Sequence, residues 1–176
     1  MDSTILLHEL ISASAVRDSH SAALADGNTA LRYGELAALV EKFASGMLSL
    51  GLKRSERVGI YLEKRFETVI ASFGAAAAGG VFVPLNPLLK PEQVGYILRD
   101  CNVRVLVTSQ ERYTLLAATL AQCPDLREVV LVGVDTAPSP FAHFGRADPV
   151  AGRLHHLVAP ANKIQKSLRV HTHRIT

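Results

Sequence analysis

The sequence predicts an α/β fold, a mostly parallel β-sheet covered by helices. Two observations carry that prediction. Short apolar runs at residues 57–62, 81–85, 104–108 and 128–132 alternate with segments of helical apolar spacing. Parallel strands need such crossovers, because the chain must return to the same edge of the sheet before each new strand. The run Ala75-Ala-Ala-Ala-Gly79-Gly-Val-Phe-Val-Pro84-Leu-Asn-Pro87 then shows one junction in full. Small residues end a helix, two glycines turn the chain, apolar residues form a strand, and Pro-Leu-Asn-Pro stops it. Each crossover is expected to be right-handed, whereas the strand order is not readable.

The elements follow in order. A first helix is expected over 6–14, with Asp2 or Ser3 as its cap. Asp26-Gly27-Asn28, between apolar runs at 22–25 and 29–33, signals a hairpin. Leu36, Leu39, Val40, Phe43, Met47 and Leu50 fall on one face of a long helix. Gly51 sits just past it, where a left-handed cap is wanted. The strand at 57–62 leads to a helix over 65–78, with Phe66, Val69, Ile70 and Phe73 on one side and a second half of small residues. Alanine is the best helix former, and its short side chain lets the helix lie close to a sheet. Pro91 opens the next helix, where its missing N–H costs nothing, and Val94, Ile97, Leu98 and Cys101 stripe it. Thr108 and Glu111 have capping-box spacing for a helix over 109–122. From Asp135 the texture changes to Thr-Ala-Pro-Ser-Pro, and no apolar period follows residue 151. The chain is therefore expected to divide into a domain over 1–134 and, over 135–176, a loop and a basic, poorly ordered tail.

Composition bounds the function. A chain of 176 residues, 48% hydrophobic and 20% charged, suits a folded soluble domain rather than a disordered one. Its formal charge of +3 is unevenly spread. No acid follows Asp148, while Arg153, Lys163, Lys166, Arg169 and Arg174 do. The first 150 residues hold 14 basic against 16 acidic residues, so the body is nearly neutral. Nucleic-acid binding by the whole protein is not expected, and the tail lacks aromatics for stacking on bases. Two cysteines, Cys101 and Cys123, make no disulfide framework and point to a reduced, cytoplasmic chain. No secretory signal is expected, because Met1-Asp2-Ser3 carries no basic start and Ile5-Leu6-Leu7 is broken at once by His8-Glu9. The uncharged stretch 69–89 has the length of a membrane span but holds three glycines and two prolines, so none is expected.

Candidate chemistry is sparse. The glycines of Gly74-Ala-Ala-Ala-Ala-Gly79-Gly80 follow a helix and precede a strand. A phosphate cradle needs the reverse order, so that backbone amides face the anion, and these glycines therefore read as helix termination and close packing. His155-His156 and His171-x-His173 have no neighbouring cysteine or carboxylate to complete a metal site. His8, His20 and His143 are isolated, and Ser12, Ser14, Ser19 and Ser21 sit in no nucleophile-elbow motif. Glu63-Lys64-Arg65-Phe66-Glu67, at a strand-to-helix junction, could recognise an anion or an acyl carrier, or could be a solvated loop.

Two patches resemble the AMP-forming acyl-CoA synthetase family. Leu31-Arg-Tyr33-Gly-Glu35-Leu36 is similar to its opening L-T-Y-x-E-L segment. Ala77-Ala-Gly79-Gly-Val-Phe-Val-Pro84-Leu-Asn86-Pro, with Arg104-Val-Leu-Val-Thr108 after it, resembles its K-A-G-G-x-x-V-P-L-N-P segment and the following strand. The resemblance covers residues 5–134. Within the family, Tyr61-Leu-Glu-Lys-Arg65 and Asn86-Pro-Leu-Leu-Lys-Pro91 most resemble acyl-CoA ligases associated with bacterial exosortase systems. There are departures: Arg32 replaces the usual Ser or Thr, Arg54-Ser55-Glu56 stands where Gly-Asp is common, and Ala76-Ala77 replaces Leu-Lys.

The resemblance implies the N-terminal subdomain of the acyl-CoA synthetase fold, truncated. Members use ATP, Mg2+ and coenzyme A to convert a carboxylate into an acyl-adenylate and then an acyl-CoA. It also implies a Ser/Thr/Gly-rich phosphate loop ending in Pro-Lys, an acidic ribose contact and a mobile C-terminal lysine domain. No segment of this chain matches them; Gly145-Arg-Ala-Asp-Pro-Val-Ala-Gly152 has neither Ser/Thr nor Lys. No catalytic, cofactor-binding or metal-binding residue of the family therefore carries over. The chain alone is expected to be inactive, and its tail after about Asp148 to be a frameshifted or otherwise aberrant end; a non-catalytic binding module and a weak enzyme are the alternatives. The subdomain packs on another in the full fold, so an apolar face is expected to lie open near the Ala-rich helix or the last strand. Association, aggregation or partial folding would follow.

Overall fold

Strand and helix alternate along most of the chain. A computed structural model describes residues 6–133 and, as backbone, two strands at 144–147 and 154–156. In chain order the elements are α1 (Glu9–Arg17), β1 (Ala22–Asp26), β2 (Thr29–Arg32), α2 (Tyr33–Ser49), β3 (Arg57–Tyr61), α3 (Phe66–Ala77), β4 (Val81–Pro84), α4 (Pro91–Asp100), β5 (Val103–Ser109), α5 (Gln110–Leu120), β6 (Glu128–Val132), β7 (Phe144–Ala147) and β8 (Leu154–His156). β1 and β2 form a separate antiparallel hairpin, turned at Gly27. The main sheet has the order β4-β3-β5-β6-β7-β8. Its first four strands are parallel, and β7 and β8 join antiparallel. The predicted mostly parallel α/β sheet is thus the architecture found.

The sheet separates two apolar cores. On one face Val58, Ile60, Val105, Val107, Val130 and Val132 pack against α2 and α3. On the other, Tyr61, Leu106, Val129 and Leu131 pack against α4 and α5. The strands alternate between the two faces, as the period of two requires. Both faces are covered, so both residue sets are apolar and the strands read as continuous hydrophobic runs. Ile60, Ile70, Leu98, Leu106 and Leu131 are fully buried, each side chain stabilising by about 1.5–3 kcal/mol relative to exposure. From β3 the path runs through α3 to β4 at one edge, then back through α4 to β5 and on through α5 to β6. The direction of travel and the covered face reverse together, which keeps one hand throughout.

Helix ends explain the two glycine signals. Gly51 N–H donates to Leu48 O (3.1 Å) and Leu52 N–H to Met47 O (3.0 Å) after α2. After α3, Gly79 N–H donates to Ala76 O (3.0 Å) and Gly80 N–H to Ala75 O (2.9 Å). This paired pattern closes a helix with a left-handed residue, and Gly79 has φ +81°. Upstream, a Cβ on Gly74 would lie 2.5 Å from Phe43 Cδ1, so the absent side chain sets how closely α3 lies on α2.

Several expectations shift. The first helix begins at Glu9 rather than residue 6, with His8 at its cap position; Asp2 and Ser3 lie outside the described residues. The α5 cap is Ser109, whose hydroxyl accepts from Arg112 N–H at 3.3 Å. Thr108 cannot serve, because its side chain is buried and donates to Tyr61 O at 2.9 Å. Arg32 offers no acceptor to α2, yet half of a capping box survives: Glu35 accepts from Arg32 N–H at 2.8 Å. β7 and β8 fall within a segment read from the sequence as loop and tail, where no apolar period marks them. The rest of that expectation, together with His143, His171 and His173, lies outside the described residues.

Candidate functional site at the carboxyl edge of the sheet

β3 and β5 are neighbours, but their chains leave the sheet toward opposite faces, β3 into α3 and β5 into α5. In doubly wound sheets the crevice at such a switch point, outside the carboxyl ends of the strands, is where ligands bind. Here it is bounded by Tyr61 at the end of β3 and residues 62–65 after it, by the cap Ser109 and Arg112 in the first turn of α5, and by loop 86–90 after β4.

Arg112 organises this edge. Its Nε donates to Glu63 Oε1 at 2.6 Å and its Nη1 to Pro87 O at 2.9 Å. The guanidinium carbon lies 4.5 Å from the centroid of the Tyr61 ring, within cation–π range. Tyr61 Oη donates to Leu89 O at 2.7 Å. Beside them Arg65 binds Glu67 with both arms, at 2.8 and 2.9 Å. Burial acts to raise the Glu63 pKa, but its backbone hydrogen bond and the Arg112 guanidinium outweigh that and hold it below the usual carboxylate range. The hydrogen bond to Glu67 raises Arg65, against the effect of burial. Perturbed groups in a crevice suggest chemistry, but here each guanidinium is answered by a carboxylate. The arrangement clamps a loop; it presents neither a nucleophile–base pair nor a set of donors aimed at an empty oxyanion position.

Of the sequence candidates, the 63–67 charge cluster lies at this switch point, while His155 and His156 stand in β8, two strands beyond β6 in the sheet. Gly79 and Gly80 end a helix, so carbonyl groups rather than amides converge there, the wrong polarity for an anion. Ser12, Ser14 and Ser21 make local bonds to Glu9 O, Arg17 and Asp18. Cys123 is buried, which pushes its thiol pKa up, the opposite of a reactive cysteine. Among the described residues no group of three or more His, Cys, Asp or Glu could hold a metal ion. Sequence reasoning missed Arg112. A signal was available: a cation in the first turn of a helix opposes the macrodipole, so its presence there calls for a tertiary partner.

A second concavity lies on the α2/α3 side. A cavity of about 210 Å³ is lined by Ile11, Val40, Ala44, Leu48 and Ala77, with Glu9 and Glu41 among its polar residues. It shares His8 and Ala77 with a cavity of about 230 Å³ that reaches Arg54, Gly79 and Gly80. Leu6, Leu7 and Leu10 remain nearly half exposed beside it. This groove borders the Ala-rich helix, one of the two places where an open apolar face was expected.

Taken together, the doubly wound sheet, the switch point and the glycine-capped crossover define an α/β protein with a mostly parallel sheet. The family model described as AMP-binding enzyme matches residues 11–164. The chain belongs to that family, and the match continues past Asp148, where the composition changes. It is 31% identical over 145 residues to syringomycin synthase SyrB1 of Pseudomonas syringae pv. syringae, covering 81% of this chain and 22% of that protein. It is 32% identical over 117 residues to the 4-hydroxybenzoate--CoA/benzoate--CoA ligase of Rhodopseudomonas palustris (strain ATCC BAA-98 / CGA009), covering 66% and 22% respectively. Among solved structures, the anthranilate CoA ligase AuaEII in complex with anthranoyl-AMP superposes with a TM-score of 0.71 at 25% identity, over 80% of this chain and 27% of that one. The chain therefore spans about a fifth of the length of these curated relatives.

Proposed function

We propose that this chain is the N-terminal subdomain of an ATP-dependent acyl-CoA ligase, which converts a carboxylate through an acyl-adenylate to an acyl-CoA, and that alone it does not adenylate. The observation that carries the proposal is the family match joined to the small share of each relative that the chain spans. The described residues do not fit a magnesium-bound triphosphate. The two guanidiniums at the carboxyl edge are held by Glu63 and Glu67, and the glycines present helix carbonyls. Without converging donors there is nothing to stabilise charge on a reacting phosphate. ATP, Mg2+, coenzyme A and the acyl substrate thus belong to the rest of the ligase, and a cytoplasmic setting goes with that role. Among the described residues no helix is long and apolar enough to cross a membrane.

The test is ATP–pyrophosphate exchange by the purified chain with a panel of fatty and aromatic acids. The expected rate equals that of a protein-free blank; exchange above it overturns the inactive reading. The narrower likeness to exosortase-associated ligases, carried by Tyr61 to Arg65 and Asn86 to Pro91, is part of the proposal and is checked by the gene neighbourhood. An exosortase gene nearby supports it, and its absence removes it. A second reading, a binding module without chemistry, draws on the open groove beside α3. A folded, monodisperse chain with a micromolar partner would favour that reading.

A further inference from the structure

The switch-point residues suggest a role apart from ligase chemistry. Loop 86–90 crosses the carboxyl edge with one apolar anchor: Leu89 packs against the margin of the α4/α5 core, whereas Leu88, at the loop's middle, is 88% exposed. Two side chains from other elements also take hold of it. Arg112, from α5, donates to Pro87 O, and Tyr61, from β3, donates to Leu89 O. The guanidinium lies over the Tyr61 ring and is oriented by Glu63, so the two latching groups support each other. Within the loop, Leu88 N–H donates to Asn86 Oδ1 (2.9 Å) and Leu89 N–H to Asn86 O (3.1 Å), while Lys90 N–H donates to Gln93 Oε1 (2.9 Å). Those bonds shape the loop, while Arg112 and Tyr61 tie it to α5 and β3.

We infer that loop 86–90 is a strap, latched across the switch point by Arg112 and Tyr61, and that release of this latch governs solvent access to the carboxyl ends of β3 and β5. Arg112 is a positioning residue in this device. It stands in the first turn of α5, where the helix macrodipole disfavours a cation, and the latch supplies the compensating partners. Glu63, whose side chain is 52% exposed, is the open side of the latch. Strap opening is local and leaves the strand ladders intact, because neither latching bond belongs to the sheet.

The experiment is amide hydrogen exchange on the full chain, followed at Leu88, Leu89 and Lys90 and in β3 and β5, for the unmodified chain, Arg112→Lys and Tyr61→Phe. Lysine can still pair with Glu63 but cannot both stack on Tyr61 and reach Pro87 O. The Tyr61→Phe change removes one hydroxyl and keeps the ring, so it tests the latch even where Arg112→Lys compromises folding. The expected result is at least tenfold faster exchange at 88–90 in each folded variant, with β3 and β5 protection unchanged. Exchange at 88–90 unaltered in Tyr61→Phe, or accelerated equally in the strands, overturns the strap. Neither outcome depends on whether the chain exchanges pyrophosphate.

Discussion

Ser55 adopts φ +64° in the turn before β3, with its amide donating to Gly79 O at 2.8 Å. A side chain in the left-handed region costs about 1–2 kcal/mol, part of which returns as reduced unfolded-state freedom. Ser55→Gly is expected to stabilise the chain by about 0.5–1 kcal/mol net, read as a higher urea midpoint at unchanged slope. The sequence showed Arg54-Ser55-Glu56 as a departure from Gly-Asp; the backbone angle gives that departure a physical meaning, one that no single-sequence pattern reports. Other residue-scale features were legible for the same local reason that makes them work. Gly51 and Gly79 stand where helices end, and Pro91 stands where a helix begins. Arg112 was legible only as a cation misplaced in a first helical turn; its partners Glu63 and Pro87 were not, because they lie 49 and 25 residues away in sequence.

At the scale of elements, α2 and α3 meet through Phe43 and Gly74. Gly74→Ala places a methyl 2.5 Å from Phe43 Cδ1 and 3.0 Å from its Cβ, so the helices must part or the ring must turn. The expected loss is about 1–3 kcal/mol from overpacking, offset only partly by alanine's better helix propensity. A thermal melt of the variant checks it, and a melt at or above that of the unmodified chain would show that the interface yields freely. The element assignments followed from periodicity, since apolar spacing is imposed by the same burial that makes the elements stable. Boundaries were less legible. α1 starts late because Ile11 is its one buried residue, leaving little periodic signal. β7 and β8 are antiparallel additions at the far side of the sheet, and short strands among turn residues carry no distinctive pattern.

At the scale of the whole molecule, the amino edge of the sheet is joined by charge. Glu56, just before β3, accepts from Lys53 N–H at 2.8 Å and pairs with Arg127, with Arg104 at 4.0 Å. Arg104 also pairs with Asp125, which accepts from Asn102 at 2.8 Å. Burial acts to raise the Glu56 pKa, but the Lys53 amide and the two arginines hold it below its ordinary value. A carboxylate with a depressed folded pKa stabilises fully above its unfolded value, about 4.3, and that contribution is lost as pH falls through the folded value. Melting temperature should therefore drop below about pH 4.3, and less steeply in Glu56→Gln. Equal slopes in the two proteins would remove Glu56 from the account. Fold class was legible at this scale because strand–helix alternation admits few arrangements. Strand order was not, because the reversal from β4 back across β3 to β5 leaves no mark in local sequence.

β4 is the outermost strand on its side of the sheet. Val81 and Leu85 donate their amides inward, to Glu56 O and Ile60 O at 2.9 Å each, so in a parallel ladder the alternate residues Phe82 and Pro84 turn theirs outward. Proline has no amide to turn. The free margin of this strand thus offers an incoming chain a single donor, Phe82 N–H. An exposed edge is a template for fibre growth when it is long and fully equipped with donors; this one is neither. Pro84, which the sequence presented as a stop sign for a strand, also takes a donor away from the edge where a further strand would add.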